Sequence, residues 1–329
     1  MRGSRFSLAL VVLLALSVCG LVLGICLGAT TLSPWDILGA LRGENRILWE
    51  LRLPHVLLSF MVGAALATSG LIMQGVFQNP LAGPYIIGVS SGASLGATIA
   101  ILFGMDYWLF GVISSVPVFA FGSGLAMTFV VYVLACRGGR APVLTLLLTG
   151  IAMSTLATAI FSMIMILKQR HLVGVLSWLL GGLRQEGWVP VFTILPYLVA
   201  GLGVTAVFER DLNLLLLGEE TAASLGLEVE RTKRVLLAVA TLLAAGAVAV
   251  SGIIGFVGLV VPHLMRILLG PDHRRLLWTS FLGGGVLLVI SDTLARVVMA
   301  PQELPVGLVT ALVGSPFFLY LLYRYGGRL

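Results

Sequence analysis

Residues 51–97 read LRLPHVLLSFMVGAALATSGLIMQGVFQNPLAGPYIIGVSSGASLGA. From Leu53 to Phe77 the run is apolar for long enough to cross a bilayer, which takes roughly 20 residues in a helix. Asn79-Pro80 and Gly83-Pro84 then break it, and a second, shorter apolar run follows from 84 to 103. A long span, a Pro/Gly break and a short span predict a membrane protein with discontinuous helices. The remainder of the chain agrees. Of 329 residues, 59% are apolar and only 10% charged. A water-soluble domain of this size has no way to hide so much apolar surface.

The spans predicted from these runs are 6–29, 53–77, 84–103, 108–135, 142–167, 188–208, 235–251, 253–269, 277–298 and 305–323. The first follows Arg2 and Arg5, as in a signal peptide, but it is too long for a usual apolar core and no A-x-A site follows. Leu16-Ser17-Val18-Cys19 only approximates a lipoprotein cleavage box, and its cysteine lies mid-run. The segment is expected to be retained as a span. Cys19, Cys26 and Cys136 show no disulfide or metal pattern, and His55, His171, His263 and His273 show no ligand spacing.

Ten spans put both termini on one side. On that side fall Arg2, Arg5, Arg137, Arg140, Arg210, Arg231, Lys233, Arg234, Arg266, Arg274, Arg275, Arg324 and Arg328. Toward the other fall Arg42, Arg46, Arg52, Lys168, Arg170, Arg184 and Arg296, so the division is 13 to 7. The positive-inside rule then predicts cytoplasmic termini. The net charge of +6 is spread over span ends, a topological pattern rather than a nucleic-acid stripe. The second short span, 253–269, is interrupted by Pro262 and lies five spans after the first. An odd offset reverses orientation, so an inverted repeat is expected. Gly88, Gly92 and Gly96, and Gly63 with Ala67, form small faces for close helix packing. Ser154, Thr155, Thr158 and Ser162 share one arc of the fifth span, either as glue between helices or as a weakly polar lining.

The energy source is expected to lie elsewhere. A P-loop ends in Lys followed by Ser or Thr, whereas Lys168 precedes Gln169 and Lys233 precedes Arg234. A proton relay needs carboxylates within the spans. Asp292 is the main one, and Arg296 one turn on neutralises it. No Ser–His, paired-Asp or H-E-x-x-H set suggests an intramembrane enzyme, so no catalytic residue and no metal ligand is assigned. The place for a partner is the inner loop 209–234, ERDLNLLLLGEETAASLGLEVERTKR. Glu219 and Glu220 open a short helix there, and Gly226 stops it. Protein docking is favoured over rest on lipid because the acidic start opposes anionic headgroups.

The 51–97 stretch, LLLGEETAASLGL at 215–227, GIIGFVGLVVPHLMRILLGPDHRRLL at 252–277 and SDTLARVVMAPQELPVGLVTALVGSPFFLYLL at 291–322 carry a resemblance. The chain resembles the permease subunits of type II ABC importers for cobalamin, iron–siderophore complexes and haem. That resemblance implies an all-α polytopic fold of ten transmembrane helices, in a bacterial or archaeal cell membrane. It also implies a homodimer with the pathway on the two-fold axis and two cytoplasmic ATP-binding cassette ATPases, which hold the ATP and Mg. A soluble or lipid-anchored substrate-binding protein outside completes the system. Gly218, Glu219, Glu220, Ala222, Ser224, Leu225 and Gly226 correspond to the helix that seats in the ATPase. The fifth and tenth spans would line the pathway, with the gate at Val143 and Leu144, apolar here and closing by dewetting. Arg52 and Arg296 match arginines that meet the binding protein, and His55 stands where the family has a further arginine. The plainer alternative for both arginines is anchoring at the interface, with Asp292 holding Arg296. The runner-up function is an ion-gradient-driven secondary transporter. The cargo among the three chelates is not legible.

Overall fold

The computed structural model describes residues 2–28, 46–105, 108–109, 113–168, 172–183 and 187–325. Arg42, Arg170, His171, Arg184 and Arg328, all named above, lie outside the described residues. The helices are α1 (Arg2–Cys26), α2 (Leu53–Val76), α3 (Val89–Leu102), α4 (Ser115–Ala135), α5 (Val143–Leu167), α6 (Leu172–Leu179), α7 (Val189–Val207), α8 (Glu209–Leu215), α9 (Glu219–Ser224), α10 (Val229–Ser251), α11 (Val257–Leu269), α12 (His273–Val297) and α13 (Val306–Tyr325). A π-helical turn, Leu48–Arg52, leads into α2. The small extended element pairs Trp108–Leu109 (β1) antiparallel with Ile113–Ser114 (β2) ahead of α4. Among the described residues, seven helices are long and apolar enough to span a bilayer, and α3, α11 and α13 are shorter apolar ones. The chain is thus an all-α polytopic membrane protein.

Four sequence expectations are revised in detail. The short third span begins at Val89 rather than 84, because residues 83–88 turn and Gly88 takes φ +89°. The fourth begins at Ser115, after the β1–β2 turn. The seventh starts at Val229 rather than 235, since Arg231 and Arg234 ride its outer surface while Lys233 and the half-buried Glu230 turn inward. The eighth starts at Val257 rather than 253, because Gly252 and Phe256 both take φ +67°. α6, between the fifth and sixth spans, was not expected.

α2 is the centre of the bundle, with nearly every residue buried. It packs on α10, α11 and α12 through small residues. A Cβ at Gly63 would run into the Gly284 carbonyl of α12, and one at Gly70 into the Gly258 carbonyl of α11. Lipid is as apolar as leucine, so burial does not drive helices together there, and close backbone approach supplies the dispersion contacts instead. α1 and α5 are largely exposed on apolar faces, as lipid-facing or partner-facing helices are.

Candidate functional site

The functional region has three levels, which the packing of α2 aligns. At the middle level lie the two helix breaks. After α2 the chain turns at Asn79-Pro80, where the Leu81 N–H donates to Asn79 Oδ1 at 2.8 Å. It re-enters a helix at α3 after Gly88. The second break, Gly252–Phe256, separates α10 from α11. The breaks touch: the Tyr85 hydroxyl donates to the Ile254 carbonyl at 3.0 Å. A Cβ at Gly258 would lie 2.7 Å from the Pro84 ring. Broken backbone survives at membrane depth only where protein covers it and completes its hydrogen bonds, and here each break covers the other.

Each break also carries one of the helices expected to line a pathway. α5 rests on the first: a Cβ at Gly150 would be 2.6 Å from the Ile86 carbonyl, and Ser91 Oγ donates to Ser154 Oγ at 3.1 Å. α13 rests on the second: a Cβ at Gly314 would be 2.6 Å from Phe256, and the Gly307 N–H donates to Gly181 O at 3.1 Å. Gly181 and Gly182 in turn hold the break, the latter by N–H donation to Ser251 O at 2.9 Å. The expected hydroxyl arc on α5 therefore divides. Ser154 is glue to α3, Thr155 is exposed with its hydroxyl on the Ile151 carbonyl, Thr158 is exposed and Ser162 half-buried. At the start of α5, Val143 is half-buried and Leu144 is exposed.

At one end of the bundle stands α9. Gly218 takes φ +99° before it and Gly226 φ +89° after it, conformations that glycine adopts without cost. The stop is hydrogen-bonded as a helix C-cap, with the Gly226 N–H on Ala223 O and the Leu227 N–H on Ala222 O. Ala222 is the buried footing, while Leu225 is exposed and Ser224 Oγ folds back onto Thr221 O. Glu219 is held by Lys233, which sequence reasoning overlooked. Lys233 is 1% exposed, and its Nζ donates to Glu219 Oε1 at 3.0 Å and to the Ala141 carbonyl at 3.1 Å. It also pairs with Glu230 Oε1 at 2.7 Å, and Glu230 Oε2 accepts the Ala141 N–H. One ammonium thus joins α9, α10 and the residue pair that leads into α5. On the other side, Asn213 of α8 accepts from the His273 N–H at 2.8 Å and Nδ1 at 2.9 Å, and donates to Asp272. The signals for these ties were present only as i, i+3 spacing of Glu230 and Lys233. Their remaining partners come from distant sequence.

At the opposite end, α1 finishes against two arginines. Arg296 NH1 and NH2 donate to the carbonyls of Leu27 and Gly24, each at 2.9 Å, and Arg52 NH1 to Ile25 at 3.1 Å. Cations on the terminal carbonyls complement the α1 dipole. Asp292 accepts from Arg296 Nε at 3.0 Å and from His55 Nε2 at 2.9 and 3.1 Å. Arg296, Asp292 and His55 are all buried. The expected docking residues His55 and Arg296 therefore face inward: Arg296 bonds α1 and Asp292, and His55 bonds Asp292 through Nε2, while its Nδ1 is buried without a hydrogen-bond partner. Arg52 stays half-buried, nearer the surface. Beside the triad lies a cavity of about 380 Å³, lined by His55, Asp292, Arg296, Thr193, Ser251 and Glu303, among others. Trp49 and Trp188 pack at the same end with ring centroids 5.4 Å apart and planes tilted by 49°, and the Trp188 Nε1–H donates to the Trp49 carbonyl, in the manner of aromatic residues at a membrane interface.

A polytopic bundle with paired helix breaks and a short helix presented on one face defines a membrane permease. The FecCD transport family model matches residues 10–324, and the chain belongs to that family. It is 47% identical over 276 residues to the cobalamin import system permease of Halobacterium salinarum, covering 84% of this chain and 73% of that one. It is 43% identical to the hemin transport system permease of Yersinia pestis, covering 87% and 90%. A solved inward-facing structure described as an ABC transporter of metal-chelate type superposes with a TM-score of 0.85 at 31% identity, covering 97% of this chain and 99% of that one. The chain is an ABC-importer permease subunit by family.

Proposed function

We propose that the chain moves a metal chelate of the cobalamin, ferric siderophore or haem class inward across a bacterial or archaeal cell membrane. Two copies enclose the pathway between their α5 and α13 helices, whose apolar faces are exposed in the single chain. Two ATP-binding cassette ATPases, which hold the ATP and Mg, seat on α9 of each copy. The termini, α8 and α9 then face the cytoplasm. The chain works as one permease domain over residues 1–329.

The observation that carries this reading is the Lys233 tie. A displacement of α9 would reach the start of α5 through Glu219, the ammonium and the Ala141 carbonyl. Nucleotide-driven closure of the ATPases would shift α9 and so tilt α5 on the first break, opening and closing the pathway by alternating access. Leu144 and Val143 sit at the inner start of α5, where such a tilt narrows or widens an apolar constriction. A soluble or lipid-anchored binding protein delivers cargo to the other end. There Arg52 is the surface arginine, while Arg296, His55 and Asp292 hold its platform from beneath.

Affinity purification of the tagged chain from its native membrane tests the assembly. The expected result is a complex with an ATP-binding cassette protein whose hydrolysis rises when chelate-loaded binding protein is added. A chain that purifies without any ATPase would contradict the reading.

A further inference from the structure

Between α4 and α10 a groove of about 500 Å³ lies within the apolar length of both helices. Leu125 and Phe129 of α4, Leu237 and Leu242 of α10 and Leu146 of α5 wall it. Phe129 and Ala238, which also lines it, are exposed, so the groove is open at the side of the bundle. Thr128 and Thr241 line it too, but their hydroxyls donate to the Gly124 and Leu237 carbonyls of their own helices, at 3.2 and 2.7 Å. The other polar side chains, Tyr132 and Arg234, stand at one end, and the Arg234 charge acts on the Tyr132 phenol. Arg234 Nε donates to the Glu230 carbonyl at 3.3 Å, and among the described residues no carboxylate pairs with its guanidinium. Arg234 also lines a second groove, of about 530 Å³, on the α9 side. That one is acidic: Glu219, Glu220, Glu228 and Glu230 line it against Arg140, Arg231 and Arg234. Glu219 and Glu230 share Lys233, Glu228 pairs with Arg231, and Glu220 has no ion pair among the described residues.

We propose that the α4–α10 groove binds one zwitterionic glycerophospholipid. An acyl chain fills the apolar groove, the phosphate meets Arg234, and the ammonium of the headgroup turns toward the acidic groove beyond it. Three observations select this occupant. The apolar wall runs from Leu125 to Tyr132 on α4 and from Arg234 to Leu242 on α10, about 10–12 Å at 1.5 Å per residue. A helix of a partner, 10–12 Å across, would need roughly twice the groove's volume over that length, whereas an acyl chain is far thinner. The polar groups stand at one end of an otherwise apolar wall, the layout of a headgroup–acyl boundary. The cation there lines both grooves, so the charges it meets decide the headgroup: four carboxylates oppose a net negative head and suit an ammonium. A lipid so placed would rest on the first turns of α10, beside the Lys233 tie. The inference depends on the membrane-spanning architecture and not on the cargo or the ATPase.

The test is native mass spectrometry of the full-length protein, in the assembly it keeps on extraction, titrated with phosphatidylethanolamine or with phosphatidylglycerol of the same acyl chains. Phosphatidylethanolamine is expected to bind more tightly. Ala238→Phe puts a ring into the groove and should weaken phosphatidylethanolamine binding by about tenfold, the equivalent of a few methylenes denied burial. Arg234→Gln, at an exposed position, should weaken it by about fivefold and supplies the answer should Ala238→Phe not assemble. Ala15→Phe adds the same ring at an exposed position of α1, outside the groove, and should leave binding within about twofold. Unchanged phosphatidylethanolamine binding in both Ala238→Phe and Arg234→Gln would overturn the proposal. An equal loss in Ala15→Phe would do the same, because the lipid would then be held by the whole apolar surface. Phosphatidylglycerol binding as tightly as phosphatidylethanolamine would contradict the headgroup assignment and with it the proposal. A change in the number of copies in Ala238→Phe, with lipid binding intact, would show an interface between copies in place of a lipid site.

Discussion

Lys233 shows how much a single side chain can carry in this protein. A buried ammonium is tolerated only when its charge and its donors are met, and here Glu219, Glu230 and the Ala141 carbonyl meet them. Because those partners belong to α9, α10 and the approach to α5, the residue is the joint through which the proposed coupling movement would pass. Lys233→Met keeps the apolar stem and removes the charge. It is expected to leave the complex hydrolysing ATP while transport per ATP falls by on the order of tenfold, comparable to the 1.5–3 kcal/mol of a charged hydrogen bond. Parallel assays of hydrolysis and uptake check this. An unchanged ratio in an assembled complex would remove Lys233 from the pathway of force. The residue was hard to find from sequence because Ala141 is 92 residues away and contributes only backbone. Asp292 and Arg296 were legible, being one turn apart. His55 was not legible as their partner, because it joins them across 237 residues. Burial, which decides whether an arginine docks or anchors, is a property of packing that spacing alone does not encode.

At the scale of elements, the two breaks are the organising device. The first is made by proline and glycine, the second by Gly252, Gly255 and the positive φ of Phe256, each seats one of the helices expected to line a pathway, and the Tyr85–Ile254 bond locks one to the other. The glycines facing them are there for space. Gly70→Ala places a Cβ against the Gly258 carbonyl, where no rotamer relieves the clash, and is expected to destabilise the bundle by about 3 kcal/mol or to prevent assembly. Gly122→Ala on α4, where no atom comes within 4 Å, should be neutral or slightly stabilising. Thermal melting of the two variants in detergent distinguishes them, and equal melting temperatures would show that the contact is not close-packed. The long helices and the first break were legible because apolar length and Gly/Pro punctuation are local signals, but the interruption expected at Pro262 is not there: α11 runs through that proline, and the chain breaks earlier, at Gly252–Phe256. The start of α10 was not, since four charged residues in a row of six resemble a loop until Lys233 is seen to face inward. Arg231 and Arg234 cover the solvent side of the same turn while Glu230 pairs with Lys233, a pattern that needs the α9 surface to be understood. α6 is only eight residues long, mostly apolar, too short to stand out as a span, so little in its local sequence marks it off as a helix.

For the whole molecule, charge and structure agree on two ends. Arg5, Arg140, Lys233, Arg274 and Arg275 gather with α8 and α9, while Arg52 and Arg296 gather with the tip of α1 and the tryptophan pair. The α9 end is joined to the centre through α5 and to the core through α12, so a load applied there reaches the breaks. Within the described residues, the Lys233 tie leads from the α9 surface toward the start of α5, as expected of a gate worked from outside itself. The central claim is that this permease moves nothing uphill alone. The direct measurement is uptake of radiolabelled chelate into proteoliposomes holding either the permease by itself, with proton and sodium gradients imposed, or the permease with its ATPase and binding protein. The account predicts accumulation only in the second preparation and only with hydrolysable ATP. Accumulation by the permease alone, driven by an ion gradient, would contradict it.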